Sequence, residues 1–345
     1  MADDKSQWDM AEMNMNKDAR AKVRSVMWRN TGKPVAVLMW GLTLLTSAAV
    51  AQTDDDQTRQ ETMIFSPDGK PVMVFNDADK GQIVVKKKVN DQWEMVGKPL
   101  PVNSAGAVSI AFSPRDGQPY VAYRDNRSGR IEVKGMVSDG KWQNLAKDGG
   151  IAAGQTQSVS LDFSPKGEAF VVYGSDSGAG IRRLEKTGKW QELDSQGLNA
   201  GKPEVMALQF SPKGEPYVAY RNGNSGRAEV KKLGVQGWDM LGGSVSSVNA
   251  DNISLSFSQR GEPYVLYRDS KTGRAQVNQF DVKQVKWHAI GGNVNAGNEQ
   301  VRDASLAFSP NNDAYVTYRR ADGSTVMKRY EHGKWVVTDE QITSQ

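Results

Sequence analysis

An all-β fold assembled from repeated small sheets is the class this sequence predicts, and three observations carry the prediction. The same phrase returns six times: an apolar strand ending in Phe-Ser, a tight turn, and a second strand centred on Tyr or Phe. The anchor phenylalanines are Phe65, Phe112, Phe163, Phe210, Phe257 and Phe308, at spacings of 47, 51, 47, 47 and 51 residues. A tryptophan closes each unit, at Trp93, Trp142, Trp190, Trp238, Trp287 and Trp335, 48 or 49 residues apart. A period of roughly 40 to 50 residues with several short strands per unit is the signature of a propeller blade. The expected architecture is therefore a six-bladed β-propeller with four-stranded antiparallel blades, preceded by one N-terminal hydrophobic helix.

In chain order, residues 1–33 read as a basic cytoplasmic segment, 34–51 as a transmembrane anchor or signal peptide, 52–60 as an acidic linker and 61–345 as the propeller. Val35 to Ala51 is a run of 17 residues without charge. Lys and Arg residues precede it and Asp54-Asp55-Asp56 follows, which orients the N-terminus to the cytoplasm and the propeller to the periplasm. Helical rise gives the run roughly 26 Å, just short of a hydrocarbon core of about 30 Å. Trp28, Val35, Leu38, Trp40, Leu44 and Leu45 are the residues expected to hold it there. Ala49-Val50-Ala51 before Gln52 also fits a signal-peptidase site, although 34 residues ahead of the apolar run are many for a leader. The expectation is a single-pass inner-membrane protein, with a periplasmic or secreted form cleaved at Ala51 as the alternative.

Within a blade the strands follow from residue pattern. Met206, Leu208 and Phe210 alternate with Ala207, Gln209 and Ser211, a period of two with one apolar face. Ser211-Pro212-Lys213-Gly214 supplies turn chemistry, since Pro presets φ and Gly accepts a positive φ. Pro216 to Tyr220 resumes with β-formers, Asn222 to Gly226 turns again, Arg227 to Lys231 alternates, and Gly237-Trp238 opens a fourth strand. One such sheet leaves both faces apolar, so six must pack face to face around an axis. Ring closure stays open between residues 52–60 and Gln341-Ile342-Thr343.

The core reads Gly117-Gln118-Pro119-Tyr120-Val121-Ala122-Tyr123, and again from Gly214 to Tyr220 and from Gly261 to Tyr267. With the tryptophan strand that follows, it resembles a bacterial extracytoplasmic six-bladed propeller repeat. That resemblance implies the fold and no single activity. At the N-terminus, Met-Ala-Asp-Asp-Lys-Ser resembles bacterial light-harvesting β polypeptides, and Met27-Trp28-Arg29 the α polypeptides. This implies a photosynthetic reaction centre–light-harvesting complex as a host. It implies no pigment, because only His288 and His332 are present and neither lies in the apolar run.

The absence of cysteine excludes disulfides and thiol chemistry, and a net charge of +4 is too small for a nucleic-acid surface. Arginine follows the core Tyr at Arg124, Arg221, Arg268 and Arg319, with Asn76 and Gly174 in the two remaining blades. Such a rim could hold carboxylates or glycans, but pairing of each Arg with a turn acid, Asp125 or Asp269, or with a neighbouring blade is the plainer expectation. Both histidines sit beside outer-strand tryptophans and read as surface residues. Asp77-Ala78-Asp79-Lys80-Gly81 lacks the ligands of a closed calcium loop. No phosphate loop, nucleophile elbow or carboxylate pair emerges, so no catalytic residue, metal or cofactor is expected.

The expected function is non-enzymatic: a membrane-anchored periplasmic propeller serving as a docking or stabilising subunit of an integral inner-membrane complex. Its contact residues are Asp125, Asn126, Arg127, Gly174, Ser175, Asp176, Arg221 and Arg268, on rim loops carried by a rigid scaffold. The loop Gly174 to Gly180 departs most from its siblings. The alternative expectation is a secreted glycan-binding or sialidase-like propeller using Arg124, Arg221 and Arg268.

Overall fold

First strands from six repeated units stand around one axis in the computed structural model, which describes residues 61–342 apart from 138, 155, 200–202 and 298. The segments 1–33, 34–51 and 52–60, with the anchor residues and Ala51, lie outside the described residues. The first strands are Glu61–Phe65, Ala105–Phe112, Thr156–Phe163, Pro203–Phe210, Ala250–Phe257 and Val301–Phe308. Each pairs antiparallel with a second strand: Pro71–Asp77, Pro119–Asp125, Ala169–Ser175, Pro216–Asn222, Pro263–Asp269 and Ala314–Arg320. Third and fourth strands follow outward in every unit, giving six blades numbered here in chain order. In blades 1 and 2 the fourth strand is broken in two, at Gln92–Met95 with Leu100–Pro101 and at Trp142–Asn144 with Ile151–Ala152. Blade 3 follows its short fourth strand, Trp190–Glu192, with a single helical turn, α1 (Gln196–Asn199).

The Phe-Ser phrase has a local cause. After five of the six anchor phenylalanines the Ser hydroxyl accepts the amide four residues on, at 3.2 Å for Lys70, Glu168, Glu215, Glu262 and Asp313, and so closes the turn into the second strand, while in blade 2 Ser113 accepts the Arg115 amide at 3.3 Å. The last turn position needs a left-handed backbone. Glycine fills it in five blades, and Asn312 fills it in blade 6 with φ 67°.

Blades are joined by four repeated ties. The small Ser three residues before the anchor Phe accepts an amide of the next blade: Ser109 from Leu161 at 3.0 Å, Ser160 from Leu208 at 2.9 Å and Ser254 from Leu306 at 3.1 Å. The aromatic ring early in the second strand packs on the next blade's anchor Phe, with centroids 4.8 to 5.2 Å apart at five interfaces. Tryptophan indoles reach back to the previous blade, from Trp142 to the Lys98 carbonyl at 2.7 Å and from Trp287 to that of Leu241 at 2.8 Å. Third-strand side chains do the same, with Asn278 on the Val245 carbonyl at 2.7 Å and Lys328 on that of Val294 at 2.8 Å. Between these ties the second strands are sealed: Val121, Val171, Val218, Val265 and Val316 are all 0% exposed.

The ring closes by the same means. Met63 donates its amide to Ser305 Oγ at 3.1 Å, that hydroxyl returns a bond to the Met63 carbonyl, and Tyr315 packs on Phe65 at 5.2 Å. Lys88 pairs with Asp339 at 2.8 Å further out. Ile342 lies opposite Thr325 of its own blade, so among the described residues no strand is exchanged between the first and last blades.

Candidate functional site

The arginine that follows each core Tyr stands at the end of a second strand, beside the start of the first strand that lines the axis. For three of the four arginines the partner there is a first-strand acid. Arg268 grips Asp251 with two bonds of 2.6 and 2.7 Å and donates a third to the Val301 carbonyl of the next blade at 2.7 Å. Arg221 pairs with Glu204, and Arg319 pairs with Asp303 at 2.7 Å. In blade 1, Asn76 takes over the inter-blade bond, donating to the Ala105 carbonyl at 2.9 Å. Arg124 donates to Asn126 Oδ1 at 2.9 Å, and Asn126 in turn donates to Ser104 Oγ at 3.0 Å. The Asp251 carboxylate raises the Arg268 pKa further above its ordinary value, and burial keeps Asp303 above the usual carboxylate range despite Arg319.

Pairing with Asp125 or Asp269 is thereby corrected. Those carboxylates cap their own turns instead: Asp125 Oδ1 accepts the Arg127 amide at 2.8 Å, and Asp269 Oδ1 accepts that of Lys271 at 2.9 Å. Asn222 does the same for Asn224 at 3.0 Å. The three loops share one shape, each with the glycine amide closing on the residue four earlier, Gly129 on Asp125, Gly226 on Asn222 and Gly273 on Asp269. Asp125, Asn126 and Arg127 thus belong to a regular blade 2 loop, and Arg268 to a closed ion pair in blade 5.

Blade 3 breaks this pattern and forms a pocket. Gly174 stands where the siblings carry Arg, because the next blade's backbone comes too close: a Cβ there would lie 2.4 Å from the Glu204 carbonyl oxygen and 3.1 Å from Ser158 Oγ. Ser158 donates to that carbonyl at 2.7 Å, which fixes the approach. The following loop is a two-residue turn, Asp176-Ser177, with Ser175 paired directly to Gly178 and its hydroxyl 2.9 Å from that of Ser177. A shorter loop and a missing side chain leave a cavity of about 350 Å³ between blades 3 and 4, lined by Gln157, Gly174 to Gly178, Pro203 and Glu204. Of the residues expected from the sequence, Gly174, Ser175 and Asp176 meet here, and Arg221 borders the site through Glu204. Gln157, Ser177 and Glu204 were not expected; Glu204 lies in the first strand of the next unit, and only strand order shows that it adjoins Gly174.

Titratable groups also stand in the axial channel and on the outer surface. The axial channel, about 340 Å³, is walled by the first strands and holds Asp162. Its oxygens accept the amides of Phe163 at 2.8 Å and Phe210 at 2.7 Å, and burial nevertheless pushes its carboxyl up to about 7. His288 and His332 are exposed on outer strand and turn. Asp77 accepts the Lys80 amide at 3.2 Å within its own turn, and among the described residues no cluster of metal-ligating side chains occurs.

No protein-family model matches the chain, and no curated protein matches it in sequence. Solved structures do match the fold. The Aleuria aurantia lectin, described as a six-bladed β-propeller with a novel mode of fucose recognition, has a TM-score of 0.65 at 15% identity, covering 84% of this chain and 97% of that one. The SapL1 lectin in complex with α-methyl fucoside has a TM-score of 0.63 at 13% identity, covering 84% and 98%. The Hadza microbial sialidase Hz136 has a TM-score of 0.57 at 12% identity, covering 81% and 67%. These likenesses establish the six-bladed propeller. They also correct the expectation of a docking subunit for an integral membrane complex, photosynthetic or other: the matching folds are described as fucose-binding lectins and a sialidase, in keeping with the alternative. The membrane expectation rested on residues outside the described ones, and no helix among the described residues is long and apolar enough to cross a membrane.

Proposed function

We propose that this chain is a non-enzymatic glycan-binding propeller whose sugar site is the pocket between blades 3 and 4. The observation that carries the reading is the unique combination at Gly174: no arginine, a two-residue loop, and a cavity of about 350 Å³ rimmed by polar groups. That volume lies at the lower end of small-ligand pockets and suits one sugar ring. Asp176 supplies two acceptor oxygens, Gln157, Ser175 and Ser177 supply donors and acceptors, and Pro203 offers an apolar patch for the C–H face of the ring. Glu204 is already neutralised by Arg221, which leaves Asp176 as the net charge and favours an uncharged sugar over an acidic one. Fucose, the ligand named for two of the matching lectins, is the first to test.

The sialidase reading asks Arg124, Arg221 and Arg268 to clamp a substrate carboxylate, but Arg221 and Arg268 are committed to Glu204 and Asp251 of their own chain, and Arg124 donates to Asn126. Export with cleavage after Ala51 accompanies the glycan reading, and N-terminal sequencing of the native protein should then begin at Gln52. Binding is tested on a glycan array and by calorimetry, with the double variant Asp176→Ala/Ser177→Ala as control. We expect a neutral glycan to bind once per chain, and the double variant to weaken it at least about tenfold without changing the melting temperature. Binding confined to sialylated glycans, or hydrolysis of a fluorogenic sialoside, overturns the proposal.

A further inference from the structure

One of the six interfaces lacks the ring that fills the other five. At those five, an aromatic side chain lies against the next blade's anchor Phe: Tyr120 on Phe163, Phe170 on Phe210, Tyr217 on Phe257, Tyr264 on Phe308 and Tyr315 on Phe65. The equivalent residue of blade 1 is Val72, facing Phe112 of blade 2. Two of the sibling rings also cover their partner on the third strand. Tyr120 lies over Gly135, where a Cβ would sit 2.3 Å from the ring, and Tyr217 faces the ammonium of Lys232 at 5.6 Å. The third-strand partner of Val72 is Lys87.

A cleft of about 460 Å³ opens at this interface, and Lys87 and Phe112 both line it, with Asp68, Met95, Pro119 and Met136 around them. Val72 itself is fully buried and does not line the cleft; its cross-strand partner Lys87 and the facing Phe112 do, so the void lies beside the position of the missing ring. Its polar end repeats the sibling chemistry as well. Tyr120 donates its hydroxyl to Asp116 Oδ2 at 2.9 Å, and Asp116 is the residue before the turn glycine Gly117. Asp68 holds the same place before Gly69. It accepts Ser66 Oγ at 2.5 Å and Lys87 Nζ at 2.9 Å, which keep its carboxyl below the usual range and leave it an ionised acceptor with capacity to spare.

We propose that the cleft between blades 1 and 2 binds a p-hydroxyphenyl group, its ring against Phe112 and its hydroxyl donating to Asp68. This site lies at the opposite end of the strands from the glycan pocket and does not depend on that reading. The test is saturation-transfer NMR and calorimetry on the full chain with p-cresol, and with p-xylene as a probe of the same shape without the hydroxyl. Expected is one p-cresol site per chain, lost in Val72→Tyr, where the chain supplies its own ring. Asp68→Asn, a change at an exposed side chain, is expected to weaken p-cresol about tenfold and leave p-xylene unaffected. A Gly-Tyr-Gly peptide distinguishes the source: tighter binding than p-cresol assigns a tyrosine of a protein, weaker binding a free phenol. No p-cresol binding at millimolar concentration overturns the proposal, as does equal p-cresol affinity in wild type and Asp68→Asn.

Discussion

Stability should fall as the solution is made less acidic, through one carboxyl group in the channel wall. Asp162 has its accessible surface toward the axial channel rather than bulk solvent, and burial raises its carboxyl from 3.8 to about 7 even though two backbone amides favour its charged form. Because the folded-state value is the higher one, the folded chain holds this proton more tightly than the unfolded chain. The stabilisation is complete below pH 3.8 and is lost as pH rises through about 7. A difference of that size is worth about 4 kcal/mol at most, a ceiling because the channel admits water. Urea unfolding from pH 4 to 8 measures it, with Asp162→Asn as the uncharged reference. The carboxamide keeps one acceptor, so its absolute stability should drop by about 1 kcal/mol, but its slope between pH 4 and 7 should lack the Asp162 contribution. Other acids titrate alike in both proteins and cancel. A difference between the two proteins that stays flat across pH 4 to 7 refutes the reasoning.

Two further substitutions probe the ring. Arg319→Ala strands Asp303, whose side chain is 19% exposed, and should cost about 3 to 5 kcal/mol in chemical unfolding. Ala207 occupies the ladder position that holds Ser in its neighbours, so Ala207→Ser should add a hydroxyl bond to blade 5 and about 1 kcal/mol, read as a higher urea midpoint.

The fold was legible because its determinants recur. Phe-Ser, the turn glycine and the closing Trp each repeat at fixed spacing, and each proved to serve one repeated bond or contact. What the sequence concealed lies where a repeat meets its neighbour. The partners of Arg221, Arg268 and Arg319 are Glu204, Asp251 and Asp303, which do not hold one common position before the anchor Phe, so no period exposes them. The nearer acids Asp125 and Asp269 were the visible choice, but a turn Asp finds its own amides first. Gly174 stood out as a departure, yet its reason, the carbonyl of Glu204 pressing on it, belongs to another blade. Val72 carried a readable signal too, an aliphatic residue in a column of aromatic ones.

The seam that completes the circle is chemically ordinary. Ser305 with Met63 and Tyr315 with Phe65 repeat the joints found elsewhere, and among the described residues no strand is borrowed from the far terminus to act as a latch. Such a ring has no privileged starting point. Rejoining the two ends of the propeller and cutting the chain at any other inter-blade connection leaves every joint able to form, so permuted orders of the same blades are compatible with the same wheel.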